Sequence, residues 1–369
     1  MSDHRISDHR MIEPQTRPHA GLGLWSVLKP YLGTPMNAII TISCIALVIL
    51  ALQALVSWLV VNALYDGTPQ DCKATRGIGI CWPFFAAKLR FMTFGFYPYE
   101  EHWRPGLAMA IFLGTGFITM VPRFWGRWLT GLWTAAVVVM TILMWGGIFG
   151  LARVPVHTWG GLPLSFMLSF VGLVCAFPLG IVLALGRMSN MPAIKIICVM
   201  FIELIRGVPL ISILFMASVM LPLFMPEGLT IDKLLRAQIA IIFFAAAYIA
   251  ETVRGGLQAI PKGQFEAAGA MGLHYWQMMR LIILPQALKI VIPPLVTTFI
   301  GFFQDTTLVT IIGLFDFLDT VRGAIRDPAW QGIAVLEAYL FAAFIYLVFS
   351  WGMGAYSRFL ERRLRVGHD

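Results

Sequence analysis

The chain reads as an all-α polytopic membrane protein with about eight transmembrane helices. Three observations predict this class. Its 369 residues are 59% hydrophobic and 12% charged, with a mean hydropathy of +0.79, whereas soluble domains carry about a quarter charged residues. Several apolar runs approach or exceed the roughly 18 residues that cross a bilayer as a helix. Those runs are continuous rather than alternating, which excludes a transmembrane β-barrel.

Eight spans are read in order: 38–63, 106–121, 129–150, 162–185, 204–224, 235–253, 287–303 and 334–356. No secretory leader is expected, because residues 1–37 stay polar for too long and the first apolar run is too long for a leader core. With the N-terminus on the cytoplasmic side, most of the 27 Lys and Arg fall on inside segments, as the positive-inside rule asks. Loop 64–104 runs against that bias with five basic residues, offset by Asp66, Asp71, Glu100 and Glu101. The net charge of +8 therefore reads as membrane topology, and no nucleic-acid partner is expected.

Four regions result. Residues 1–30 form a polar, disordered cytoplasmic tail containing the duplication Ser-Asp-His-Arg-Ile and Ser-Asp-His-Arg-Met. Residues 31–155 make a three-helix membrane unit with outer loop 64–104. Residues 156–357 make a five-helix core, and 358–369 a second cytoplasmic tail. Cys44, Cys175 and Cys198 lie in apolar runs, where free Cys acts as a small hydrophobe. Cys72 and Cys81 share the outer loop, where an oxidising compartment permits a disulfide between them. No Cys/His spacing resembles a metal site.

The most informative stretch is 266–285, within loop 254–286. It reads Glu266-Ala267-Ala268, then Gly272, then Ile282, Leu284 and Pro285. The complete spacing is that of the "EAA" signature of permease subunits in ATP-binding-cassette importers. From Trp159 to Arg365 the chain resembles permeases of polar amino-acid ABC importers, the histidine/glutamine-type family. Further matching stretches are Trp159–Leu162, Glu203-Leu204-Ile205-Arg206-Gly207-Val208-Pro209, Tyr248–Leu257 and Asp305-Thr306-Thr307. The three preceding spans and the Cys-bearing loop resemble the longer permease of general L-amino-acid importers (Aap/Bzt type). One departure is Gln304, where relatives often carry Lys before the Asp-Thr pair.

The resemblance implies a type I importer core in the bacterial inner membrane with both termini cytoplasmic. It also implies a second, distinct permease, an ABC ATPase dimer, a periplasmic solute-binding protein and an L-amino-acid substrate. No cofactor is expected on this chain, since ATP and Mg belong to the partner ATPase. The chain itself shows no GxxxxGK[ST], HExxH or Gly-x-Ser-x-Gly pattern, so a non-catalytic subunit is expected. A secondary amino-acid transporter is the alternative, but no convincing internal repeat supports it.

Each singled-out residue has a physical reading. Pro261 suits a first helical turn, and the helix runs through Phe265, Glu266, Ala267 and Ala268. Gly272 supplies a positive φ at its end. A second helix carries Tyr275, Met278, Met279 and Ile282 on one face until Pro285 breaks it. Ala267 and Ala268 leave room for a partner groove, and Glu266 anchors the loop by a cap or an ion pair. Glu203 and Arg206 are three apart and able to pair locally, either as a structural pair or at the inner end of a permeation path. Glu251 and Arg254 repeat the spacing. Pro293 and Pro294 are expected to break or kink the seventh span, as helices lining a substrate path often do. Asp305 and Thr306 either contact a substrate ammonium or cap a following short helix.

Overall fold

A computed structural model describes residues 31–124, 126, 128–226, 228 and 231–365. The expected tail 1–30 and the last four residues of 358–369 lie outside the described residues. Among the described residues, six helices are long and apolar enough to cross a membrane, and a bent pair makes seven if it is counted as one span. The chain divides into two compact units by its internal contacts, which separate 31–63 with 77–80 from the remainder.

In the first unit, α1 (Pro35–Val56) starts at Thr34, whose hydroxyl accepts the Asn37 N–H, and with Pro35 in its first turn. Both features suit a helix start. A π-turn, Ser57–Val61, extends it to a 27-residue span, about 40 Å at 1.5 Å per residue. That exceeds the roughly 30 Å hydrocarbon core.

The second unit opens with α2 (Pro69–Ala74), started by a capping box between Thr68 and Asp71. The Thr68 N–H and hydroxyl hold the Asp71 carboxyl below its usual range. Cys72 and Cys81 are joined by a disulfide, and α3 (Trp82–Phe94) comes at once. Loop 64–104 is therefore not an open loop. Phe84 and Met92 of α3 are fully buried in a cluster with Phe317, Val321 and Trp330. Helix α4 (Trp103–Met120) covers the expected second span without being among the six helices apolar enough to cross, while α5 (Trp128–Trp145) realises the third. A buried arginine joins their ends. Arg104 Nε donates to Leu143 O (2.7 Å), Nη1 donates to Ala152 O (2.8 Å), and Glu101 lies 3.6 Å away. The cation thus serves the carbonyls at and just beyond the end of α5, the negative pole of that helix.

Helix α6 (Gly161–Arg187) and α9 (Lys233–Gln258) form the centre of the core. They approach closely because small residues line the seam. A Cβ on Gly172 would lie 2.9 Å from Ile241 Cγ2, and one on Gly180 would lie 2.7 Å from Ile249 Cγ2. Helix α12 (Leu284–Asp305) uses the same device against α9, where Gly256 faces Val291 and the Ala287 carbonyl.

The expected fifth span, 204–224, is corrected. A helix α7 (Pro192–Gly207) and a separate α8 (Leu210–Phe215), continued by a π-turn and a 3-10 turn to Phe224, meet at 102°. Pro209 disfavours helical backbone at Val208, which sits extended at φ −110°, ψ 132°, and so forces the corner. Helix α13 (Phe317–Arg326) is capped by Asp316, and α14 (Val335–Arg365) closes the described chain. Burial pushes the Asp316 carboxyl up to about 6, against the lowering by the Leu318 and Asp319 N–H groups.

Candidate functional site

The loop after α9 builds a protruding helical hairpin. Pro261 stands just before α10 (Lys262–Ala270), not inside its first turn. At its other end, Gly272 has φ +75°. The Gly272 N–H donates to Gly269 O (2.9 Å) and the Leu273 N–H to Ala268 O (3.3 Å), closing the helix as a Schellman motif. Nothing lies within 4 Å of a Cβ placed there, so the backbone alone demands glycine. Then come α11 (Tyr275–Met278), a π-turn Met279–Ile283, and α12. Pro285 does not break the helix, contrary to expectation. The wide turn before it takes up its missing donor, and helix continues to Asp305.

Within this hairpin the residues singled out by the sequence divide into two sets. Glu266 and Ala267 are exposed, and Glu266 has no hydrogen bond or ion pair among the described residues. The expected cap or ion pair for Glu266 is therefore absent within the described chain. Ala268 is fully buried, which corrects its expected place beside a partner groove. Ile282 and Leu284 are half-buried against the core, so they root the hairpin while Pro285 remains exposed. Gln286 Nε2 donates to Gln264 Oε1 (3.2 Å), tying α12 to α10.

The exposed apolar tip consists of Met271, Tyr275, Trp276 and Leu281, the last two about 65% and 64% exposed. Reading the segment as one regular helix missed Trp276 and Leu281. The π-turn Met279–Ile283 adds a residue to the repeat and so shifts Leu281 off the regular face, and no local composition signals it; Trp276 precedes that turn.

At the root of this hairpin lies an ionic cluster. Arg187 reaches both Glu203 (2.7 Å) and Glu251 (2.9 Å), Arg254 pairs with Glu251 at 2.9 Å, and Arg206 lies 3.8 Å from Glu251. Glu203 is therefore paired with Arg187, not with Arg206 as its spacing suggested. The expected Glu251–Arg254 pair forms. Glu251, only 15% exposed, joins the ends of α6, α7 and α9, and α9 leads directly into α10. Arg206 also stands over the Tyr248 ring at 5.3 Å.

The remaining candidates are elsewhere. Pro293 and Pro294 lie inside α12, which passes through them unbroken. Thr297 and Thr298 hydroxyls donate to the Pro293 and Pro294 carbonyls, and the two lost N–H donors leave the ladder otherwise intact. Asp305 is half-buried and makes no side-chain cap to the following 3-10 turn, Thr306–Ile312, against the capping expectation. The Thr306 side chain is buried and donates to Phe303 O (2.8 Å), so its hydroxyl proton is already used. Asp305 is about 32 Å along α12 from Leu284 at 1.5 Å per residue. The fold thus separates Asp305 and Thr306 from Glu203 and Arg206 instead of gathering them into one site.

A multi-span helical protein whose membrane core carries a protruding hairpin with the EAA spacing is a transporter permease by class. Residues 176–366 match the family described as binding-protein-dependent transport system inner membrane component, and the chain belongs to that family. Among its relatives, the inner membrane amino-acid ABC transporter permease protein YhdY of Escherichia coli K12 is 47% identical, over 90% of each chain. The glutamate/glutamine/aspartate/asparagine transport system permease protein BztC of Rhodobacter capsulatus is 34% identical over the full length of both. A crystal structure of an amino acid ABC transporter with histidines shares 31% identity over 55% of this chain and 92% of that one, with a TM-score of 0.49.

Proposed function

We propose that this chain is one permease subunit of an importer that moves L-amino acids inward, using ATP hydrolysed by separate ATPase subunits. The carrying observation is the hairpin 261–285. Among the described residues Glu266 has no partner there, and Met271, Tyr275, Trp276 and Leu281 are exposed at the tip, apolar surface of the kind that marks a protein contact. The relatives' names supply the cargo class, and relatives that match the chain through its N-terminal spans carry amino-acid names. In this reading the ATPase docks on the hairpin. A second permease, a distinct paralogue, completes the pathway, and a solute-binding protein delivers substrate on the other side. Both termini face the cytoplasm of a bacterial inner membrane. ATP closes the ATPase pair, and α10 to α12 carry that motion into the spans. The direction of transport then follows from the different affinities of outward and inward states for the external partner. Asp305, half-buried and uncommitted, is the candidate for a substrate ammonium.

The test is uptake of radiolabelled amino acids into proteoliposomes holding the complex purified from its native membrane. Uptake that needs ATP, the binding protein and an ATPase with Walker motifs supports the assignment. Uptake by this chain with no ATPase present would establish a secondary transporter instead.

A further inference from the structure

Helix α12 leaves the hairpin and α14 returns toward it, so the last turns of α14 lie on the hairpin side of the membrane. The end of α4 is held at the same level. The Tyr356 hydroxyl of α14 donates to Thr119 O in the last turn of α4 (3.1 Å), and Trp133 Nε1 of α5 donates to the Thr119 hydroxyl (3.0 Å). These two bonds bring the turn between α4 and α5 beside the end of α14.

The charged residues gathered there are almost all of one kind. The stretch 119–128 carries Arg123 and Arg127, and 356–365 carries Arg358, Arg362, Arg363 and Arg365, against the single carboxylate Glu361 and no lysine. Arg123, Arg358, Arg362 and Arg363 are exposed and have no hydrogen bond or ion pair among the described residues. The ionic cluster at the hairpin root behaves differently, since Glu203 and Glu251 pair there with Arg187, Arg206 and Arg254. Arg363 follows Tyr356 by two helical turns, so it stands on the stripe facing α4, about 10 Å further out at 1.5 Å per residue. The Arg358 guanidinium folds back along α14, its Nη1 3.5 Å from a Cβ placed on Gly354. Phe124 and Trp128 on the turn, with ring centroids 6.2 Å apart, and Phe359 on α14 are exposed, as side chains at the level of lipid head groups are.

Arginine is the cation whose fork matches a phosphate through paired N–H donors. Clusters of basic residues directly beyond a span attract anionic lipid. We propose that Arg123, Arg358 and Arg363 form a binding site for the phosphodiester head group of an anionic phospholipid in the leaflet on the hairpin side. Phe117 and Met120, exposed at the end of α4, offer apolar surface to its acyl chains. A phosphate between the two segments neutralises charge that no carboxylate of the described chain meets, and it ties α4 and α5 to the core through lipid. The proposal draws on the membrane-spanning fold and not on the importer reading.

The experiment uses the complete transporter purified in detergent with equimolar phosphatidylglycerol and phosphatidylcholine added, and native mass spectrometry to count each lipid retained. The wild type is expected to retain phosphatidylglycerol in about tenfold preference. Arg123→Gln with Arg358→Gln and Arg363→Gln should lower that preference to about twofold, and Arg123→Gln alone, on an exposed turn, should lower it by about half. Lysine at all three positions keeps the charge but not the fork and should leave about fivefold. Lys195→Gln, which removes an exposed cation from α7, should leave the preference unchanged. An undiminished preference in both glutamine variants overturns the proposal. An equal drop in Lys195→Gln also overturns it, since net charge alone would then select the lipid. Loss of the retained phosphatidylglycerol on adding millimolar inorganic phosphate overturns it too, by making the ligand a free anion. If the triple variant keeps its lipid preference but loses co-purifying ATPase, the cluster is a protein contact and not a lipid site.

Discussion

Glu251 accepts from Arg254 and pairs with Arg187 and Arg206, so its removal leaves three cations facing each other with only Glu203 nearby. Glu251→Gln is expected to cost about 3 kcal/mol, in the range for breaking a largely buried charge pair, seen as a lowered thermal midpoint of the purified complex. Because α9 continues into the hairpin, uptake should fall further than ATPase activity. Equal losses of both would remove the coupling interpretation. Gly272 offers a cleaner test, since nothing crowds it. Gly272→Ala should cost roughly 1 kcal/mol by forcing an L-residue into the left-handed region and should reduce coupled uptake with insertion intact. Gly272→Asn, which tolerates that region, should recover most of the activity. Asp316 titrates near 6 in the folded chain against a usual value of 3.8. A raised folded value means its contribution is fully present below about pH 4 and is lost as pH rises through about 6. Relative to Asp316→Asn, the wild type should therefore lose thermal stability across that window, in a comparison of melting temperatures at pH 4 and pH 7. Asp319 and Arg322 act on the same carboxyl in opposite senses.

Helix packing decides what can replace the small residues between α6 and α9. Gly180→Val puts atoms where Ile249 already stands 2.7 Å from a simple Cβ, and overpacking of this kind costs about 1–3 kcal/mol. The double variant with Ile249→Ala should regain part of the lost yield in detergent. No recovery would show that the seam is not the site of strain. At this scale the sequence was legible wherever a helix is long and uniformly apolar, and α1, α5, α6, α9 and α14 stand close to their expected spans. The hairpin also obeys its motif, with Gly272 taking the left-handed turn. The features that were not legible depend on neighbours. The corner between α7 and α8 needs Val208–Pro209 to act against two apolar flanks that alone read as one span. The π-turn before Pro285 restores a helix that proline alone would end. Glu203 prefers Arg187, 16 residues back, to Arg206 one turn ahead, and only the packing of α6 against α7 makes that choice. Helix α3 hid in a stretch that composition presented as an outer loop, because Phe84 and Met92 find their apolar partners on α13 and beyond.

At the scale of the whole core, the hairpin with its ionic cluster stands at one end of α9, and the linker before α6 stands at the other. Their orientation can be measured directly. With Cys44, Cys175 and Cys198 replaced by Ala, the Gly269→Cys variant should react with an impermeant thiol reagent only in inside-out vesicles. The Gly150→Cys variant should react only in right-side-out ones, and the reverse pattern would invert the topology. The layer formed by α3 and α13 carries a consequence for synthesis. The Thr320 hydroxyl donates to Met92 O across 228 residues of chain, and Phe317 covers the same patch. At roughly 5–20 residues per second, α3 emerges on the order of 10–45 s before the helix that shields it. Throughout that interval its apolar face has no native cover, so the nascent chain depends on timing, and a slowed ribosome between Met92 and Phe317 lengthens its most vulnerable moment.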